Sequence, residues 1–309
     1  MNMARAITFF SISIVLAVQP AFAEFDQSRT DLYLQQLYTQ SNVEKLERLS
    51  IQRRVEYFSG LFLGRPYLGG ALGEGAQSAF DNDPLYRFDA FDCTTFVETV
   101  TALSLSRSDL DFKKNMNAIR YSGGRVSLLS RNHFTSADWN PNVEKIGILK
   151  DVTADIGKTE VTSLETLIDK RAWYEKQAAS MVLTEGNRDA KIGAILTKTQ
   201  ILVPQLSQLN FLSKEIMTTK PELLKSFPKA GVINIVRKNW KVKDAIGTDL
   251  DISHQGVFFE RDGEIIFRHA SFKKSSQFVV EVPLLEYVKN NFNDQTFAGV
   301  NVLSFAEGL

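Results

Sequence analysis

Three side chains in this sequence have the chemistry of a nucleophile and its proton carriers. They are Cys93, the only cysteine, and two of the three histidines, His254 and His269. A thiolate is a strong nucleophile, and a neutral imidazole takes up and returns a proton near neutral pH. A fold that brings these side chains together could therefore catalyse acyl transfer, with one histidine as the base and the other orienting it.

Cys93 is predicted to lie in the first turn of a buried helix. Asp92 is a typical N-cap residue, and an apolar stripe at helical spacing follows it: Phe96, Val97, Val100 and Leu103. The unpaired N–H groups at a helix N-terminus stabilise an anion, so we expect the pKa of the Cys93 thiol to be lowered. The alternative interpretation is a small buried residue without chemistry.

A β-hairpin is predicted in the C-terminal third of the chain. The strand patterns at Ser253–Glu260 and Glu264–Ala270 flank Asp262-Gly263, a dipeptide typical of two-residue hairpin turns. Further strands are predicted at 232–237, 278–282 and 299–305, with a helix at 284–290.

This hairpin would place both histidines on one core-facing surface. His269 lies opposite Gly256, and His254 follows two residues further along the same face, which puts the histidine backbones roughly 6–8 Å apart. The inference depends on the turn type, because a one-residue slip in register would separate the two faces. If the Cys93 helix packs on this sheet, His254 would be the base and His269 would fix its tautomer. A zinc site formed by the same three side chains is the competing interpretation, although no close-spaced ligand pair supports it.

The beginning of the chain has the pattern of a signal peptide. Arg5 precedes a mostly apolar run over 7–18, which is too short to span a bilayer, and Ala21-Phe22-Ala23 is a small-x-small cleavage site. We expect cleavage after Ala23 and a periplasmic or secreted protein without a stable membrane anchor. An unpaired cysteine in an oxidising compartment is more typical of a reactive thiol than of a packing residue.

Composition is typical of a globular protein, with 44% apolar and 23% charged residues among 309. The formal net charge is zero, which argues against a nucleic-acid partner or binding to an anionic membrane. We expect one domain over 24–309, with an insertion-like middle region at about 143–230. Within that region a helix is predicted over 164–181. The stretch 192–209 is ambiguous between strand and helix, and residues 199–203 within it suggest a strand ended by Pro204.

Two loops contain candidate binding residues. Gly60–Gly75 has six glycines in sixteen residues, with Tyr67 in its middle, and does not match a phosphate-binding pattern. A second loop, 130–141, is crowded with polar and aromatic groups and includes His133. Packing is the alternative interpretation for Tyr67 and His133.

Taken together, these motifs resemble the NlpC-type bacterial cell-wall hydrolases, which have a papain-like α+β fold and a Cys-His-His site. Three stretches are similar to the N-acetylmuramoyl-L-alanine amidase-like branch: Phe91–Glu98, Ser130–Phe134 with Trp139, and Leu250–Gly256. The first of these, Phe-Asp-Cys-Thr-Thr-Phe-Val-Glu, is the most specific. The resemblance extends from about residue 64 to residue 303.

The resemblance implies an amidase that cuts the bond between N-acetylmuramic acid and L-alanine in peptidoglycan or its turnover fragments, without a metal or cofactor. It makes Cys93 the nucleophile, His254 the base and His269 the orienting residue. The motif positions that line the family's cleft correspond to Tyr67, Asp92, Arg131 and His133. Two alternatives stay open: a peptidase that cuts within the stem peptide, and a non-catalytic cell-wall-binding protein.

Overall fold

A computed structural model describes residues 25–273, 275–306 and 308 of the chain. The predicted signal peptide and its cleavage site lie outside the described residues. The α-helices are α1 (Gln27–Leu37), α2 (Gln40–Glu47), α3 (Ile51–Gly60), α4 (Cys93–Leu105), α5 (Asp109–Arg120), α6 (Asn140–Lys145), α7 (Thr153–Gly157), α8 (Lys170–Gln177), α9 (Arg188–Thr199), α10 (Lys214–Thr219), α11 (Lys243–Ile246) and α12 (Leu284–Asn290). In the part of the chain described, no helix is long and apolar enough to cross a bilayer.

The strands are β1 (Leu149–Asp151), β2 (Val161–Ile168), β3 (Gln205–Ser213), β4 (Ala230–Arg237), β5 (Ile252–Arg261), β6 (Glu264–Ala270), β7 (Val279–Pro283) and β8 (Phe297–Phe305). They form one antiparallel sheet in the order β2-β3-β8-β4-β5-β6-β7, and β1 also pairs with β8. The fold is therefore a mixed α/β structure with an antiparallel sheet, which agrees with the α+β class that the resemblance implies.

Each face of the sheet is covered by its own helices. The alternation of side chains along a strand sends Val257 and Phe259 to the face that packs on α3, α4 and α5. Phe258 and Phe267 point to the other face, where they pack with α10 and α12. The central strands β4, β5 and β6 carry buried apolar side chains on both faces. His254 and His269 are buried polar residues among them, on β5 and β6.

The predicted hairpin is confirmed. Strands β5 and β6 pair with Arg261 opposite Glu264, and the turn residues Asp262 and Gly263 have φ of 53° and 83°. Positive φ at both central positions defines a type I′ turn, which favours Asp-Gly because glycine has no Cβ and aspartate tolerates the left-handed region. The strands predicted on either side of this hairpin, and the helix at 284–290, are also present.

Two predictions in the middle region are wrong. The helix predicted over 164–181 is strand β2 followed by the shorter helix α8, which begins where Asp169 caps it by accepting from the Ala172 N–H at 3.0 Å. Pairing along the whole of β3 makes the first part of this segment a strand despite its helix-like apolar spacing. The strand predicted over 199–203 is wrong because α9 extends to residue 199 and β3 begins only after Pro204, which lacks the N–H that a ladder needs.

Candidate active site

Helix α4 begins at Cys93, as predicted. The Asp92 side chain accepts from the Thr95 N–H at 2.8 Å, and the Thr95 hydroxyl accepts from the Asp92 N–H at 2.9 Å. This reciprocal cap fixes the start of the helix. The apolar residues that follow are fully buried against the sheet, so the helix cannot slide along it. Cys93 is a free, half-buried thiol held at a rigid position.

The two histidines are in direct contact. His254 Nε2 lies 2.8 Å from His269 Nδ1, and the ring planes are nearly perpendicular at 87°. Gly256 makes this possible, because a Cβ at that position would lie 2.8 Å from the Cβ of His269 and 2.5 Å from a ring carbon of Phe267. Phe267 stacks on His269 with the ring centroids 4.7 Å apart, which restrains the His269 ring.

The N-terminal end of α4, where Cys93 lies, meets strand β5 near Gln255. The body of α4 packs on one face, whereas the histidine side chains lie on the other with Phe267. The Gln255 backbone N–H lies close enough to the Cys93 sulfur to oppose the rise in the pKa of the thiol. Because this amide joins His254 to Gln255, the structure brings the three side chains into one site.

The expected low pKa of the thiol is wrong. Burial, and next the charge of Asp92, raise the pKa of Cys93 to about 12, against the opposing hydrogen bond from the Gln255 N–H. The N-terminal position of the cysteine does favour the anion, but removal from water penalises it more strongly. The resting thiol is therefore protonated at neutral pH and needs a base to become a nucleophile.

Both histidines are neutral at the same pH. Burial, followed by repulsion from His269, Arg237 and Lys273, holds the pKa of His254 well below its usual value. Burial and the charge of Lys273 lower the pKa of His269 to about 3. A neutral imidazole has a free lone pair, which is the form that a general base requires.

The hydrogen bond between the histidines indicates where the proton of His254 lies. Its Nδ1 is buried and has no hydrogen-bond partner among the described residues, whereas Nε2 contacts His269. We assign the proton to Nε2, which donates it to His269 Nδ1. The lone pair of His254 Nδ1 is then free to accept a proton.

The glycine loop forms a wall beside the thiol. Tyr67 forms a parallel bridge with Phe91, and the Gly70 N–H donates to Asp92 Oδ2 at 3.2 Å. Burial raises the pKa of Tyr67 above its usual value, and the nearby Cys93 and Asp92 raise it further, so its hydroxyl keeps its proton. The structure thus places Tyr67 and Asp92 next to Cys93.

A buried ion pair anchors the other end of this loop. Arg120 Nη1 lies 2.6 Å from Glu98 Oε2 on α4, and Arg120 Nη2 donates to the Leu72 carbonyl at 2.7 Å. The Tyr121 hydroxyl donates to the next carbonyl, that of Gly73, at 2.9 Å. The loop and α4 are therefore held as one unit.

The structure does not bring Arg131 and His133 into hydrogen-bond contact with the Cys-His-His group within the described residues. Arg131 forms ion pairs with Glu74 and with Asp81, the latter at 2.7 Å. His133 Nε2 lies 3.1 Å from the Leu128 carbonyl, and its ring packs against Trp173. The contacts of Arg131 are ion pairs and those of His133 are packing contacts, so the roles of both residues in binding stay predictions.

Sequence reasoning missed three residues of the site. Gln255 contributes its N–H to the thiol, and its only signal is that it follows His254. Tyr287, on α12, has its ring centroid 5.4 Å from that of His269. Phe272 lies 5.7 Å from the ring of His254 and is 51% exposed, although no periodicity in the sequence points to it.

The zinc interpretation receives no geometric support. Within the described residues, no group of three or more histidine, cysteine, aspartate or glutamate side chains is arranged to hold a metal ion. The hydrogen bond between the histidines also uses one nitrogen of each ring, so those two nitrogens are not free to bind a metal ion.

Comparisons with known proteins identify the family. The model of the AmiA-like, N-acetylmuramoyl-L-alanine amidase-like family matches residues 57–297. A protein of known structure from Legionella pneumophila is 31% identical, with a TM-score of 0.84 over 90% of this chain and 95% of its own. An N-acetylmuramoyl-L-alanine amidase from Bacteroides uniformis is 22% identical, with a TM-score of 0.56 over 83% of this chain and 99% of its own. A Bacteroides fragilis protein proposed to be a xylanase is 23% identical, with a TM-score of 0.58 over 82% and 99%.

At these identities the two Bacteroides structures show a shared fold only. No curated protein matches the chain. The family match covers more than half of the sequence and includes helix α4, the glycine loop and the histidine hairpin. The chain belongs to the N-acetylmuramoyl-L-alanine amidase-like family.

Proposed function

We propose that the protein is an exported cysteine amidase that hydrolyses the amide bond between N-acetylmuramic acid and L-alanine in peptidoglycan or its fragments. The family match supports the choice of the bond that is cut, and the arrangement of Cys93, His254 and His269 supports the mechanism. The observation that carries the proposal is the contact between His254 Nε2 and His269 Nδ1 at 2.8 Å, which leaves His254 Nδ1 without a hydrogen-bond partner among the described residues. We propose that this nitrogen faces the Cys93 thiol, because the next residue, Gln255, has its backbone N–H close to the sulfur. We also infer that the arrangement is papain-like, with a nucleophile at a helix N-terminus and a base on the sheet.

In the first step, His254 Nδ1 accepts the thiol proton as the sulfur of Cys93 attacks the carbonyl carbon of the lactyl group. The new imidazolium keeps its other N–H directed at His269, which stabilises the charge as it forms. Because the resting pair is neutral, charge develops only in the transition state, where the hydrogen bond between the histidines is strengthened most.

The developing oxyanion needs hydrogen-bond donors that are already in place. The Cys93 N–H is the first amide of α4, and no described residue accepts from it. We propose this N–H and the protonated hydroxyl of Tyr67 as the two donors, since both lie beside the thiol. Asp92 would contribute indirectly, because its cap and its bond to Gly70 fix both the helix start and the glycine loop.

In the second step the intermediate collapses and the carbon–nitrogen bond breaks. His254 gives its proton to the departing amine of L-alanine, and the muramoyl group remains on Cys93 as a thioester. Water then attacks this thioester, His254 takes the proton of the water, and that proton returns to the sulfur as the carbon–sulfur bond breaks. The products are a free muramoyl carboxylic acid and a peptide that begins with L-alanine.

Product analysis tests this proposal. Purified protein starting at Glu24 and its Cys93→Ala variant would be incubated with muropeptides, and the products would be identified by mass spectrometry. We expect a peptide-free sugar and a peptide with an N-terminal L-alanine from the unmutated protein alone. Cleavage within the peptide would instead favour the stem-peptide peptidase, and no cleavage would favour a binding protein.

Export has a separate test, because it depends on the first 23 residues. The proposal predicts that protein recovered from the periplasm of an expressing Gram-negative host begins at Glu24, which N-terminal sequencing would show. Full-length protein confined to the cytoplasm would contradict it.

A further inference from the structure

The connection between β6 and β7 presents an aromatic ring and a cation next to the candidate site. Phe272 is 51% exposed, yet its ring centroid lies 5.7 Å from that of His254 and 6.3 Å from that of Tyr67. An exposed phenylalanine between two rings of an active site presents apolar surface to whatever binds there. The connection is held at its base, because the Ser271 N–H donates to the Phe278 carbonyl at 2.8 Å.

The neighbouring residue, Lys273, is exposed and carries a positive charge. Its Nζ donates to the side-chain oxygen of Asn291 at 3.0 Å and lies 5.9 Å from the ring centroid of Tyr287, which in turn packs against His269. No described carboxylate forms an ion pair with Lys273, so its charge is available to an anion. The charge of Lys273 also contributes to lowering the pKa of both histidines, which places it close to them.

The proton transfer from His254 to the departing amine indicates which part of the substrate contacts the connection between β6 and β7. His254 gives a proton to the departing amine, so the amine nitrogen must lie within hydrogen-bond reach of His254. Groups that surround His254 therefore contact the peptide that leaves, not the acyl group that stays on Cys93. Phe272 would meet the first residue of that peptide, and Lys273 would meet a group slightly further along.

We propose that Phe272 and Lys273 form the subsite for the departing peptide and select a small apolar first residue followed by a residue with a free carboxylate. This inference rests on the proposed function and gives its substrate a more specific chemistry. The L-alanine methyl group would pack on Phe272, and the free α-carboxylate of the following D-isoglutamate would pair with Lys273. A substrate in which that carboxylate is amidated would lose the ionic contact.

Two synthetic substrates separate this inference from the proposed function. Both substrates have their γ-carboxyl group amidated, so that they differ only at the α-position. N-acetylmuramoyl-L-alanyl-D-isoglutamate γ-amide carries the free α-carboxylate, and the D-isoglutamine analogue carries an amide in its place. We expect the wild type to have about a five-fold higher kcat/KM for the acid, as for an exposed ion pair of about 1 kcal/mol. Lys273→Gln should bring the ratio close to one, while Lys289→Gln, a change at an exposed lysine on α12, should leave it unchanged.

The apolar contact has its own comparison. Replacing L-alanine by glycine in the acid substrate should lower kcat/KM about four-fold in the wild type, from the loss of one buried carbon. Phe272→Ala should abolish this preference, whereas Phe292→Ala, at another partly exposed phenylalanine, should retain it.

The outcomes are distinct. Failure of the wild type to release alanyl peptide from either substrate would overturn the proposed function, and this inference with it. Release without a preference for the acid, or with a preference that Lys273→Gln preserves, would overturn the carboxylate contact while the amidase activity stands. A preference for alanine that survives Phe272→Ala would overturn the apolar contact in the same way.

Discussion

The orienting role of His269 gives the sharpest prediction about the mechanism. His269→Ala removes the partner of His254 Nε2, whose hydrogen bond is 2.8 Å long. His254 is only 3% exposed and its Nδ1 already has no described partner, so water cannot easily replace the lost bond. The imidazolium formed during attack would then have a buried N–H without an acceptor.

The expected magnitude follows from the charge on that ring. A hydrogen bond to a charged group contributes about 1.5–3 kcal/mol, so its loss in the transition state should lower kcat/KM about 10- to 150-fold. His269→Asn places an amide oxygen near the position of Nδ1 and should keep kcat/KM within about five-fold of the wild type. The two variants are thus a matched pair that differs mainly in the hydrogen-bond acceptor.

The assay measures release of the L-alanine amine from a muramoyl peptide, with circular dichroism and thermal unfolding as controls for folding. Full activity in a folded His269→Ala variant would refute the orienting role. Equal losses in His269→Ala and His269→Asn would show that the ring acts through packing against its neighbours and not through the hydrogen bond.

Three other predictions concern protonation and stability. The high pKa of Cys93 predicts no thiolate absorbance near 240 nm below about pH 9, relative to Cys93→Ala, and absorbance at pH 7 would indicate a preformed ion pair. His254 and His269 have folded-state pKa values below the unfolded value of about 6.5, so the stability that their neutral forms provide is present above that pH and is lost as the pH falls. Between pH 7.5 and 5.5, the free energy of unfolding measured in urea should therefore fall by about 3 kcal/mol more for the wild type than for a His254→Asn/His269→Asn double variant. Equal decreases in the two proteins would refute the buried neutral pair. Glu98→Gln should lower the free energy of unfolding at neutral pH by about 3–5 kcal/mol, because it leaves the buried Arg120 without its ion-pair partner. Glu175→Gln, at an exposed ion pair, should lower it by less than about 0.5 kcal/mol. A small effect at Glu98 would show that this ion pair does not anchor the glycine loop.

The parts of the fold that local patterns specify could be predicted. The Asp-Gly turn sets the register of the hairpin, and the register places His254 and His269 on one face. Asp92 and the apolar stripe after it define the start of α4. These features depend on residues close together in sequence, where turn chemistry and capping act directly.

The features that were predicted wrongly or missed depend on distant parts of the chain. Strand β2 exists because β3 pairs with it some forty residues later, and its own apolar spacing indicates a helix. The pKa of Cys93 depends on how completely the fold buries the thiol, which helix position alone cannot indicate. Phe272 belongs to an irregular connection without periodicity, so only the folded hairpin shows that it lies beside His254.

The most direct test of the account is intact-protein mass spectrometry of the enzyme quenched rapidly during turnover of a muramoyl peptide. We expect a covalent adduct with the mass of the N-acetylmuramoyl group, localised to Cys93 by peptide mapping and absent from Cys93→Ala. An adduct of a peptidyl group would assign the cleavage to the stem peptide. Turnover by a Cys93→Ala variant would contradict the central claim that this thiol is the nucleophile.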